Sequence, residues 1–348
     1  MLLRPGLRQE GQLLRERLRS LRVVPVNRKT LVLLLVAAGC GLFDPSSQPS
    51  HPSAGDVPAA EGAADAGATG PRSAKEVCER WRADRKDLRD AANGVDAATC
   101  TPGTLSPIAH ANALRLVNLY RWMAGLAPVT SDAGRDAAAQ ECALMMAANG
   151  TLDHAPPSSW TCWTAAGAEA AANSNLAAVG AVPAVDLYME DFGNFATLGH
   201  RRWLLSNRLG PVGIGSAGTH SCLWAIGAPR PGASWVAWPP PGPYPAEALT
   251  LVWKPIEETG WSLQSDTVAL GLPEVTVTSD GALLPVKVVS LAAGVGSEHG
   301  IGFIADGWKS EAGKSYHVQV GRGPHGGPEP AIEWDVSVVD CDAVLGGD

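Results

Sequence analysis

The sequence predicts a mixed α/β protein, with a helix-rich first half and an all-β second half. Three observations predict it. Apolar side chains recur at helical spacing between residues 107 and 149. Ala, Gly and Pro punctuate a strand-like run at 212–215. Beyond the proline run at 239–245 the period changes from about 3.6 to two.

The chain has 348 residues, 45% of them hydrophobic and 18% charged, which supplies enough apolar material for folded cores and argues against global disorder. A net charge of −8 lacks the basic footprint of a nucleic-acid binder, so no nucleic-acid partner is expected. Twelve Trp stand against four Phe and four Tyr, and most of these indoles are expected in the core.

The chain opens with an export pattern. Residues 31–39 (LVLLLVAAG) are too few to span a bilayer, which needs roughly 20 apolar residues. They follow Arg28 and Lys29 and lead through Ala37, Ala38 and Gly39 into Cys40. This is similar to a bacterial lipobox, which implies a signal over residues 1–39, acylation of Cys40 and membrane attachment through that lipid in the cell envelope. Residues 40–74 shift to Pro, Ser, Ala and Gly without an apolar period and read as a linker.

Six further cysteines remain: Cys78, Cys100, Cys142, Cys162, Cys222 and Cys341. Six cysteines permit 15 connectivities. Short loops favour Cys78–Cys100, Cys142–Cys162 and Cys222–Cys341, the first stapling an extension over residues 75–104, the last joining the two halves. Such bridges need an oxidising compartment, in agreement with export.

Residues 107–126 form the first helix of the main segment, with Leu114, Val117, Leu119, Trp122 and Met123 on its apolar positions and Gly125 at its end. A second helix runs from Ser131, read as its N-cap, to Asn149. It buries Ala139, Cys142, Met145 and Met146 and stops at Gly150. A helical piece at 186–191 and the strand at 212–215 follow.

These residues resemble the CAP family (cysteine-rich secretory, antigen 5 and pathogenesis-related proteins). NLYR at 118–121 with GLAPV at 125–129 is similar to the family's opening helix. AQECALMMAANGTLDH at 139–154 is similar to its second helix and first histidine. NLA at 175–177 and YMED at 188–191 resemble its two acidic motifs, and GHRRWLL at 199–205 with VGIG at 212–215 its second-histidine segment. The resemblance places a CAP domain over residues 105–234 and implies an α-β-α sandwich. It also implies a cleft with two histidines, His154 and His200, and two acidic groups. Asp191 takes one acidic position, with Glu190 beside it. Ser174 stands where the other Glu is expected, and Glu169 lies five residues earlier as a displaced substitute.

Two imidazoles and a carboxylate can hold Zn²⁺ or another divalent cation, with His154 and His200 as ligands. Equally, a His–carboxylate hydrogen bond needs no metal and only holds the cleft together. No HExxH helix and no GxSxG elbow is present, so neither peptidase nor esterase is indicated by motif. Arg201 and Arg202 are expected at the surface or in a structural ion pair.

Residues 240–343 read as a β-sandwich of immunoglobulin-like type behind a stiff proline linker. Its strands are expected at 249–253, 275–278, 286–289, 317–320 and 332–338, with turns at Asp280-Gly281 and Asp306-Gly307. His299, His317 and His325 have no ligand spacing. The functional expectation is a lipid-anchored, extracytoplasmic binding module for a lipid, glycan or protein. The alternative is a metal-dependent hydrolase using the His/acidic cleft.

Overall fold

The computed structural model describes residues 72–228 and 230–346. The expected export signal, Cys40 and all but the last three residues of the expected linker lie outside them.

Helix α1 (Ala74–Asp84) starts where the Ser73 hydroxyl accepts from the Glu76 amide, and it buries Val77, Cys78 and Trp81. A two-residue pairing of β1 (Ala92–Asn93) with β2 (Thr104–Leu105) leads to α2 (Pro107–Met123). Ser106 caps α2 and Pro107 occupies its first turn, where no backbone donor is lost. Ala109, Ala113, Leu116, Val117 and Tyr120 form its buried stripe, and Leu119 and Met123 are buried as expected.

Helix α3 (Ala133–Asn149) is capped by Asp132 rather than Ser131: the Asp132 carboxylate accepts from the Arg135 amide at 2.9 Å. Ala139, Cys142, Met145 and Met146 are buried, and Gly150 closes the helix in the left-handed region. Then come α4 (Ala165–Ala172), β3 (Ser174–Ala177), α5 (Ala181–Glu190), α6 (Gly199–Leu204), β4 (Gly213–Ser216) and β5 (Ser221–Trp224).

The three strands form an antiparallel sheet in the order β3-β5-β4. Helices α3 and α4 pack on one side, and α5 with α2 on the other, which gives the expected α-β-α layers. Alternation in VGIG explains how α3 lies so close to β4. A Cβ on Gly213 would overlap the Arg135 backbone, and one on Gly215 the Ala139 backbone. Val212 and Ile214 point to the opposite core.

The β-rich half comprises β6 (Val236–Trp238), β7 (Gly242–Pro245), a 3₁₀ turn (Ala246–Leu249), α7 (Ile256–Thr259), β8 (Trp261–Ser265), β9 (Leu272–Ser279), β10 (Ala282–Leu284), β11 (Val286–Ser290), β12 (His299–Ala305), β13 (Ser315–His325) and β14 (Ile332–Val339), closed by α8 (Cys341–Leu345). One sheet runs β11-β12-β8-β6 and the other β10-β9-β13-β14-β7. Only β14–β7 is a parallel pair among them. In chain order this is the immunoglobulin-like arrangement, with β6 and β7 as two halves of a first strand shared between the sheets.

The proline run therefore carries the chain from one sheet to the other. The strand expected at 249–253 is absent. Those residues form a turn, bridged at Thr250–Pro255, because Pro255 and the Glu190 carboxylate divert the backbone groups a ladder would use. Between the sheets, Trp261 and Phe303 of one meet Tyr316 and Trp334 of the other, with Trp261–Tyr316 centroids 5.9 Å apart and Phe303–Trp334 centroids 6.4 Å apart.

One apolar core runs through both halves. Trp81, Tyr120, Trp238 and Tyr244 form an edge-to-face chain with centroids 6.3, 5.6 and 5.5 Å apart, linking α1 and α2 to the sandwich.

All three disulfide pairings differ from the short-loop set. The bonds are Cys78–Cys341, Cys100–Cys162 and Cys142–Cys222, with sequence separations of 263, 62 and 80. Pairing follows the tertiary packing: α1 lies against α8, and α3 against β5. Cys78 cannot reach Cys100 because its side chain sits on the buried face of α1, pointing at α8. The extension is thus pinned to the end of the sandwich, where Arg82 also bridges Glu247 and Asp342 at 2.7 Å each.

Two outcomes are expected from this packing. Gly215→Ala should push α3 off the sheet and cost about 3 kcal/mol, read as a lowered midpoint in thermal unfolding. Replacing Cys78 and Cys341 together by Ser should cost about 2–5 kcal/mol in denaturant unfolding, because a large covalent loop is opened.

Candidate functional site

The site is organised by the end of α5 and the start of α6. Asp191 closes α5 in the left-handed region (φ 53°), which turns its carboxylate back under α6. It is buried and accepts from three donors: His200 Nδ1 at 2.8 Å, the Arg201 amide at 3.2 Å and the Asn194 side-chain amide at 3.2 Å. His200 keeps 32% of its side chain exposed. Its ring lies 5.2 Å from that of Tyr188, whose hydroxyl donates to the Asn175 carbonyl at 3.0 Å. Burial raises the Tyr188 phenol well above its ordinary range, so the hydroxyl stays a donor. The Asn175 side chain in turn donates to the His200 carbonyl at 3.1 Å. The expected NLA and YMED segments thus both serve to place one histidine.

The remaining expected positions go elsewhere. Glu190 is buried, but one of its oxygens accepts from the Val252 and Trp253 amides, each at 2.8 Å. It holds the 250–255 turn of the β-rich half. The Ser174 side chain is buried and its hydroxyl has no hydrogen-bond partner among the described residues. Glu169 stands exposed on α4, and its backbone carbonyl accepts from the Asn173 side chain at 2.9 Å. His154 is exposed and its Nδ1 meets the Ala171 carbonyl at 2.9 Å, at the end of α4. No hydrogen bond joins the two histidines among the described residues.

These positions do not fit a divalent cation. Among the described residues no three His, Cys, Asp or Glu side chains converge as ligands. Asp191 sits behind the Nδ1 side of His200, and Glu190 is committed to backbone amides. What the arrangement supplies is a single, partly exposed imidazole whose Nδ1 is held by a buried carboxylate. No serine or cysteine hydrogen-bonds that ring among the described residues.

Arg201 and Arg202 are buried, contrary to the surface expectation. Arg201 donates to the carbonyls of Met189 (2.7 Å), Gly260 (2.7 Å) and Glu190 (3.1 Å), and to the Thr259 hydroxyl at 3.4 Å. Arg202 donates to the carbonyls of Thr197, Ala292 and Ser297 at 3.1, 2.7 and 3.2 Å. Burial lowers both guanidinium pKa values, that of Arg202 to about 10. Asp191 and Glu190 oppose that shift at Arg201. The adjacent pair thereby fastens α6 to the β-rich half. Sequence reading missed this because consecutive arginines usually signal a solvated surface.

Asp191→Asn should destabilise the protein by about 2–4 kcal/mol, since it removes the charge that offsets a buried guanidinium. His200→Gln, at a partly exposed ring, should cost less than about 1 kcal/mol. Chemical denaturation of the two variants checks this order.

Residues 114–222 match the model of the family described as CAP, the cysteine-rich secretory protein family. No curated protein and no solved structure matches the chain. The match covers both histidines and Asp191 and ends at β5, leaving the β-rich half outside it. Three disulfides together with this match suggest an extracellular or secreted binding-type module. With the layered helices, the Asn175 and Tyr188 supports and the His200–Asp191 pair all inside the matched stretch, residues 114–222 are a CAP domain.

Proposed function

We propose that the protein is an extracytoplasmic, lipid-anchored binding module rather than a hydrolase. The observation that carries this reading is the fate of the acidic positions. One carboxylate orients His200, the other gives one oxygen to the 250–255 turn, and among the described residues no three His, Cys, Asp or Glu side chains converge to hold a metal that could activate water. The anchor reading is supported by the apolar run ahead of Cys40 and by the pairing of all six other cysteines with one another. The immunoglobulin-like sandwich, an architecture common to many cell-surface domains, also supports a recognition role.

One observation favours a second reading, a hydrolase with His200 as general base: its tautomer is set by Asp191 and its ring is partly open to solvent. Two measurements decide. Cys40→Ala should move the protein from the membrane fraction to the soluble extracytoplasmic fraction; retention in the membrane overturns the anchor. The purified protein should show no turnover of ester, amide or glycoside reporters that is lost in His200→Ala. Turnover that this variant abolishes establishes the hydrolase instead.

A further inference from the structure

Every described Tyr is buried, and every described Trp and Phe is buried or half-buried with three exceptions. These are Trp253 (65% exposed), Phe192 (50%) and Phe195 (42%), and they fall in one place together with Val252 (37%). Two loops build the patch. Phe192 and Phe195 follow Asp191 on the α5–α6 connection, their centroids 6.1 Å apart. Val252 and Trp253 stand on the turn that Glu190 holds through their amides. Lys254 closes the seam, with its Nζ 5.3 Å from the Phe192 centroid.

The geometry selects among ligands. Phe192 and Phe195 are edge-to-face at 89°, and Lys254 covers a face of Phe192. The two Phe rings therefore do not offer a pair of parallel faces between which a sugar or base would be held. Lys254 is paired with Glu258 at 2.7 Å, so the patch is close to neutral and its attraction is apolar. Protruding Trp and Phe beside a lysine whose stem can lie along apolar groups suit the polar–apolar boundary of a bilayer. The 31 residues 41–71 between Cys40 and Arg72 span up to on the order of 100 Å when extended, so an acylated Cys40 keeps this face within reach of the membrane.

We propose that the Phe192, Phe195, Val252 and Trp253 face is a second membrane contact, seated in the interfacial region of the bilayer. The proposal rests on the envelope reading above. It turns the protein so that His200, held by the residue next to Phe192, lies at the level of the lipid headgroups.

The test uses the full chain in phosphatidylcholine vesicles with and without bromine on the acyl chains. The first tryptophan of the chain is Trp81, so the export segment contributes no signal. Brominated lipid should quench part of the tryptophan emission, and Trp253→Phe should remove that part. Phe192→Ser with Phe195→Ser, which leaves Trp253 in place, should reduce the quenching at least about twofold. Salt at about 0.5 M, where the Debye length falls to a few ångströms, should leave it unchanged. Equal emission in both lipids, or quenching that the double variant leaves intact, overturns the proposal. So does a dimer in sedimentation that the double variant dissolves, which assigns the face to a second copy. The Cys40→Ser chain mixed with the same vesicles separates the two readings: quenching there keeps the contact even if the acyl anchor fails.

Discussion

A guanidinium buried without solvent governs much of this structure. Arg201 donates to carbonyls at the end of α5 and to Gly260 and Thr259 of the β-rich half. Placing a charge there is costly unless it is satisfied, and both conditions that make it tolerable are met. Its donors have partners on two elements, and the carboxylates of Glu190 and Asp191 lie close by. The same two carboxylates then complete separate tasks, one orienting His200 and one fixing the 250–255 turn. The exposed histidine, the join between the halves and the aromatic rim consequently share one electrostatic centre, and none can be rebuilt alone.

One covalent bridge reinforces that join. Cys78–Cys341 binds the first described helix to the last, while Cys142–Cys222 locks α3 against the sheet of the CAP domain. The edge-to-face chain from Trp81 to Tyr244 fills the space between. An immunoglobulin-like sandwich on a flexible hinge would have exposed these rings. Here they are core; of the twelve Trp, four are buried and seven half-buried against the apolar clusters, and Trp253 is exposed.

For recognition, the consequence is a rigid presentation. His200 is held through its ring by Asp191 and through its carbonyl by Asn175, and the neighbouring aromatics stand on loops tied down by buried groups. A ligand meeting this face finds it already arranged, so little ordering cost falls on binding. Such pre-organisation lowers the ordering cost whether the face recognises a ligand or positions a reacting group.

Local pattern determined much of the fold. Helical spacing with Gly125 and Gly150 as stops specified α2 and α3, VGIG marked a strand, and Asp280-Gly281 turned β9 into β10. The resemblance of NLA, YMED and GHRRWLL to CAP segments pointed to Asp191 and His200 as neighbours in one cleft. Strands β8 and β12 escaped because they are buried on both faces or rich in glycine, so period two is not written in them. Only the tertiary structure decided which cysteines pair, that Glu190 faces the sandwich, and that Arg201 and Arg202 are interior. Each of those outcomes depends on contacts between segments 50 or more residues apart, and local spacing carries no record of what a distant element will bring.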